Sequence, residues 1–201
     1  MSRTKQEVVT EFRCTEILDA ARKVFAEKGF SETTMEQIAD HAGIAKGTLY
    51  LYFKSKRDIY MAALTQGIRS LNAESRRQVE AATAARDKLR AFIETRVSYF
   101  ERNRDFFLIY HSEIGNLRVP PAAGESEISE LYLAQAQLLD GVLRAAVANG
   151  EIRDLRPDAT AFAVLDLTRG MIVMRLLGWS KADPQADVQH LMELIWRGIG
   201  A

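Results

Sequence analysis

Between His41 and Arg57 the chain carries Lys46, Lys54, Lys56 and Arg57 and no acidic residue, with Thr48, Tyr50 and Tyr52 set among them. Ammonium, guanidinium, hydroxyl and phenol groups at this density suit the holding of phosphate and the reading of base edges. The plainer alternative is a helical hairpin with a solvated basic edge. Bond-making chemistry finds less support. His41, His111 and His190 lie in different segments, without the spacing of metal ligands. His111, Ser112 and Glu113 are adjacent, but consecutive residues on a helix point in different directions and cannot assemble a triad. There is no glycine-rich phosphate loop and no nucleophile elbow. The expectation is a protein without catalytic residues, metal or cofactor.

The elements that must position the basic run lie in Thr33–Lys56, TTMEQIADHAGIAKGTLYLYFKSK. Thr33 reads as an N-cap, with Glu36 three residues on to complete a capping box. Met35, Ile38 and Ala39 give the following helix an apolar face. Ala42-Gly43-Ile44 breaks it, Gly43 falling where a left-handed backbone costs least. A second helix starts near Ala45, with Ile44, Leu49 and Phe53 packing back onto the first. Lys46, Gly47, Thr48 and Tyr50 are left on or near the outward side. Helix, tight turn, helix, with a polar basic outer face, is the pattern of a helix-turn-helix DNA reader.

Residues 17–60, ILDAARKVFAEKGFSETTMEQIADHAGIAKGTLYLYFKSKRDIY, resemble the N-terminal domain of the tetracycline-repressor (TetR) family of bacterial transcription regulators. The Gly-Phe after the first helix, the Thr-Thr opening the second, the Ala-Gly-Ile turn, the Lys-Gly-Thr-Leu-Tyr recognition helix and the Tyr-Phe-Lys-Ser-Lys exit all fall in register. The resemblance implies a dimeric, ligand-responsive DNA-binding protein, usually a repressor. Lys46, Gly47, Thr48 and Tyr50 would then enter the major groove of a palindromic operator, and Thr34, Tyr52, Lys54 and Lys56 would hold phosphate. The assignment of Tyr50 and Lys56 to backbone contacts rests on the family alone. An activator, or a small-molecule-binding module of the same fold acting through protein partners, stays open beside the repressor.

With 201 residues, the chain can bury a substantial core in one large domain or two small ones. Its formal net charge is zero, so the basic signal is local. A single cysteine, Cys14, excludes an intramolecular disulfide framework and reads as a packing residue. The N-terminus lacks the apolar core of a signal peptide and no segment is apolar enough to span a bilayer, so a cytoplasmic protein is expected.

No alternating strand pattern, repeat or low-complexity tract interrupts the helical periodicity. The expected fold is all-α with about nine helices, divided into a helix-turn-helix domain over 11–56 and an effector-binding and dimerisation domain over 57–201. Residues 1 to about 10 read as a mobile arm whose Arg3 and Lys5 could touch DNA. The first helix runs Glu11–Lys28, stops at Gly29 and leaves Phe30 to tuck into the core. A connector helix opens at Ser55-Lys-Arg-Asp58. Helices follow over 86–102, Asp105–Ile114, Ser126–Ala148 and from Asp158 to about Trp179, and a last one is capped by Asp183-Pro184. Gly115–Gly124 reads as a loop.

The helix 158–179 is apolar nearly all round, and with the last helix it could form a four-helix bundle across a two-fold axis; closing a monomer core is the alternative. Asp166 and Arg169, three apart, could pair with each other, and Arg175 could serve core, dimer or ligand. Tyr99, Phe106, Tyr110 and His111, with Arg169, are the candidate walls and polar handles of a site for a small, mainly hydrophobic effector. An aromatic core without a pocket would use the same residues.

Overall fold

The computed structural model describes residues 4–114, 126–153 and 155–200. The expectations for Arg3 and for the Gly115–Gly124 loop fall outside this range. Nine helices are present among the described residues: α1 Lys5–Glu32, α2 Met35–His41, α3 Lys46–Tyr52, α4 Lys56–Ala81, α5 Ala85–Arg102, α6 Arg104–Ile114, α7 Ser126–Ala148, α8 Pro157–Leu176 and α9 Pro184–Ile199. The one β-type pairing among them is an isolated bridge between Ile152 and Gly200.

Several ends differ from the sequence reading, each for a local reason. Residues from Lys5 onward are helical rather than an arm, because Thr4 and Glu7 form a capping box: Thr4 Oγ1 accepts from Glu7 N at 3.3 Å and Glu7 Oε2 from Thr4 N at 2.8 Å. The Thr4 backbone N–H, and then the Thr4 side chain, hold the Glu7 carboxyl below its ordinary pKa. The cap of α2 is Thr34 with Gln37, one residue beyond the expected Thr33 with Glu36. Thr33 is buried, and its hydroxyl donates to the Gly29 carbonyl at 2.7 Å. Gly29, with φ 75°, interrupts the regular turns of α1 where the stop was expected. α8 ends at Leu176, before Trp179, because Gly178 takes φ 74° and the Trp179 amide turns back to the Met174 carbonyl at 2.8 Å.

The chain forms two compact units. The first is built from α1–α3, α4 up to Gly67, and α6; the second from α4 beyond Gly67, α5 and α7–α9. In the first, Ile17, Ala21, Val24 and Phe25 of α1 meet Ile38, Leu49, Ile59 and Tyr60 in a closed core. Each large apolar side chain buried there contributes about 1.5–3 kcal/mol against exposure. Phe30 sits at the edge, 38% exposed, its ring 6.0 Å from Phe25 and 5.0 Å from Tyr60. In the second unit Leu89, Phe92, Ile93, Val97 and Phe100 of α5 pack among α7, α8 and α9. Cys14 is half-buried and free, and burial pushes its thiol pKa up, away from reactivity.

Candidate nucleic-acid interface

α3 has seven residues, and one of them, Leu49, is fully buried. That anchor fixes the rotation of the helix. Lys46, Gly47, Tyr50 and Leu51 then lie outward, and Thr48 and Tyr52 stand half-covered on an edge. Gly43, with φ 66°, makes the turn that sets α3 across α2, and the Ile44 amide closes it on the Ala39 carbonyl at 3.0 Å. Thr48 and Tyr52 border a hollow of about 190 Å³ shared with Arg13, Glu16 and Ile44.

Gly47 has ordinary helical φ, and a Cβ placed on it would meet nothing within 4 Å. The fold itself therefore does not require glycine here. Leu51 is 82% exposed, an apolar side chain at the centre of the outward face. Sequence reasoning passed over it because leucine in a short helix reads as core. Its signal was position: it follows Gly47 by four residues, on the same side of the helix.

The basic residues divide. Lys54 is exposed, with its charge toward solvent. Lys46 Nζ reaches Glu36 Oε1 at 2.6 Å, and this hydrogen bond holds the ammonium pKa above its ordinary value. Both partners are exposed, so the pair is weak and open to exchange for phosphate. Lys56 is engaged differently from the expectation. Its Nζ donates to the carbonyls of Phe30 at 2.6 Å, Ser31 at 3.0 Å and Thr33 at 2.7 Å, and lies 4.5 Å from the centre of the Phe30 ring. All three ammonium donors are used on the chain's own backbone. The reason is local: carbonyls left without partners where α1 ends gather a cation. Thr34 is exposed, and its hydroxyl caps α2.

The candidate effector residues fall in both units. Phe106 and Tyr110 are buried on α6, their rings 5.7 Å apart, and exposed His111 stacks on Phe107 at 5.4 Å. Tyr99 is buried on α5, edge-on to Phe100 at 6.0 Å. Arg169 pairs with Asp166 at 2.9 Å, the pairing that their spacing allows. Arg175 is tied into the second unit by Glu101 and by Asp187 at 2.5 Å, with Ser180 Oγ donating to the same Asp187 oxygen at 2.8 Å. Among the described residues no group of three or more His, Cys, Asp or Glu is placed to hold a metal, and no helix is long and apolar enough to cross a membrane.

The family model of bacterial regulatory proteins, tetR family, matches residues 17–63, and that of the tetracyclin repressor-like C-terminal domain matches residues 82–173. The chain is 28% identical over 190 residues to the fatty acid metabolism regulator protein of Bacillus subtilis (strain 168), covering 92% of this chain and 94% of that protein. It is 34% identical over 143 residues to the transcriptional repressor KstR2 of Rhodococcus jostii (strain RHA1), covering 70% and 68%. Among solved structures it is similar to the transcriptional regulator FadR from Bacillus subtilis in complex with stearoyl-CoA. The TM-score is 0.78 at 25% identity, covering 90% of this chain and 96% of that one.

Proposed function

The chain belongs to the tetR family of bacterial regulatory proteins and is a DNA-binding transcriptional regulator, and on that premise we propose that it is a repressor released by a long-chain acyl effector. In this reading residues 11–56 read DNA, and 57–201 carry effector binding and dimerisation. The observation that carries it is the outward face of α3, where Lys46, Gly47, Tyr50 and Leu51 stand exposed over buried Leu49. Gly47 lets the backbone approach a groove floor, Lys46 supplies donors to base or phosphate, and Leu51 can meet a thymine methyl. Thr48 reads the edge beside them; Thr34, Tyr50, Tyr52 and Lys54 hold phosphate.

One such helix reads too few base pairs, and a two-fold dimer sets two of them about one DNA turn, roughly 34 Å, apart. The surface of α8 supports a dimer: Ala163, Leu167, Gly170, Met174 and Leu177 are exposed at alternating spacings of four and three, the seam of a helix-packing face. The effector class comes from the relatives, one a fatty acid metabolism regulator and one seen with stearoyl-CoA. Effector binding would select a conformer whose recognition helices no longer match the operator, so that DNA affinity falls.

Selection of random duplexes at moderate salt, followed by titration of the winner with acyl-CoA, tests this reading. A palindromic winner with a steep salt dependence, released by acyl-CoA, is expected. Weak, salt-sensitive binding to every duplex alike would overturn it.

A further inference from the structure

Arg96 on α5 is 1% exposed, and its sole hydrogen-bond partner among the described residues is the side-chain oxygen of Gln135 on α7. Its guanidinium lies 5.5 Å from the Phe92 ring and 5.8 Å from the Phe100 ring, and its Nε has no hydrogen-bond acceptor. Acids on α4, α5 and α7 serve other arginines: Glu74 pairs with Arg102, Glu101 with Arg175, Glu127 with Arg69, and Asp140 with Arg144. Among the described residues a permanent charge is thus buried without a counterion, an arrangement that is costly unless something compensates it.

Arg96 Nε and Gln135 Nε2 are buried donors without a partner, and Asn72 Oδ1 and Ser75 Oγ on α4 are likewise unpartnered. Arg69 pairs with Glu127, and Asn72 Nδ2 donates to the Leu131 carbonyl at 2.9 Å, so α4 and α7 advance in step. Ser75 lies about one turn further along α4 and Gln135 one turn further along α7. Ser75 is 2% exposed with an unpartnered hydroxyl, and Gln135, also 2% exposed, has an unpartnered side-chain amide nitrogen. The hydrogen-bonded Arg96–Gln135 pair of α5 and α7 therefore keeps unused guanidinium and amide N–H donors inside the second compact unit, with the Ser75 hydroxyl on the helix tied alongside α7, and an anionic oxygen group would satisfy the donors.

We infer that Arg96, with Gln135 and Ser75, binds the acid group of an amphipathic effector whose chain lies against the neighbouring aromatic side chains. This deepens the proposed function and rests on its long-chain acyl reading. The recognised chemistry is an anionic oxygen, which a free fatty acid supplies as carboxylate and an acyl-CoA as phosphate.

Binding of palmitate, stearoyl-CoA and uncharged hexadecanol, measured by titration and by thermal shift on the full chain, tests the inference. Palmitate or stearoyl-CoA is expected to bind the wild type more tightly than hexadecanol, and whichever does so names the source of the charge. Arg96→Met should weaken that ligand by about thirtyfold while leaving the melting temperature of the free protein unchanged or higher, since an unpaired buried charge has been removed. Gln135→Glu, which gives Arg96 a counterion within the chain, should erase the preference for the anion over the alcohol. Equal binding of all three ligands, retained in both variants, would overturn the role of Arg96 and leave the acyl reading standing. Binding of none would remove both. A lower-melting Arg96→Met with wild-type affinity would make the residue purely structural.

Discussion

Gly67 of α4 stands directly against the ring of Phe106 of α6: a Cβ built on Gly67 would lie 2.2 Å from Cε2 and 2.4 Å from Cδ2. Phe106 is 1% exposed, so its ring has nowhere to swing. Gly67→Ala should therefore cost about 1–3 kcal/mol in urea denaturation, the range for an overpacked core. Phe106→Leu in the same chain should restore part of the loss, a coupling that a double-mutant cycle reads directly. Wild-type stability in the single alanine variant would show that the two helices separate freely.

Lys56 is expected to matter for folding more than for DNA. With its three donors on the carbonyls of Phe30, Ser31 and Thr33, Lys56→Met should lose about 1–2 kcal/mol of stability. The dependence of DNA affinity on salt should keep its slope. Lys54→Ala is the control, expected to weaken all duplexes alike and to lower that slope by about one. A reduced slope at unchanged stability in Lys56→Met would return the residue to the phosphate backbone.

The Glu101–Arg175–Asp187 cluster joins α5, α8 and α9. Asp187 is 8% exposed, and without Arg175 its charge would keep Ser180 as its side-chain partner among the described residues. Arg175→Met is expected to destabilise the protein by about 3 kcal/mol, with loss of helical signal at lower urea. A mild effect would mean that Asp187 is solvated in the native state.

Tyr60 predicts an alkaline limb of stability. Burial, and then the Glu113 carboxylate that accepts its hydroxyl at 3.2 Å, push its pKa well above the ordinary phenol value. A folded pKa raised above the unfolded one contributes stability that is complete below about pH 10 and is lost as pH rises further. Tyr60→Phe should flatten that loss in denaturation series from pH 9 upward. An unchanged slope would mean that the phenol titrates normally in the folded chain.

How much of this was legible in the sequence depends on range. Apolar periodicity gave the helices, and glycine at 29 and 43 marked breaks now seen with φ 75° and 66°. Thr33-Thr34 shows the limit of local pattern. Either threonine can cap, and burial of Thr33 against the Gly29 carbonyl decides between them. Lys56 is a second case, since its partners lie 23 to 26 residues upstream and a lysine near DNA reads first as a phosphate ligand. The same holds for the pairing of Lys46 with Glu36, ten residues apart. Arg96 falls at helical spacing with Phe92 and Phe100 on the buried face of α5, but that its charge has no carboxylate among the described residues follows only from the packing of α5 against α7.

Gly47 offers the sharpest separation of folding from function. Helix positions ordinarily favour alanine over glycine by about 0.5–1 kcal/mol, and a Cβ at Gly47 meets nothing in the free protein. Gly47→Ala should therefore raise the stability of the free chain. If the backbone at this position approaches the groove floor, the same methyl group must collide with DNA, and operator affinity should fall by about tenfold or more, on the scale of a lost specific contact. Non-specific binding, which rests on charge, should change little. Denaturation and operator titration on the one variant give the two numbers. A more stable protein with undiminished affinity would mean that α3 docks through its side chains alone, with Lys46, Tyr50 and Leu51 holding the backbone away from the bases.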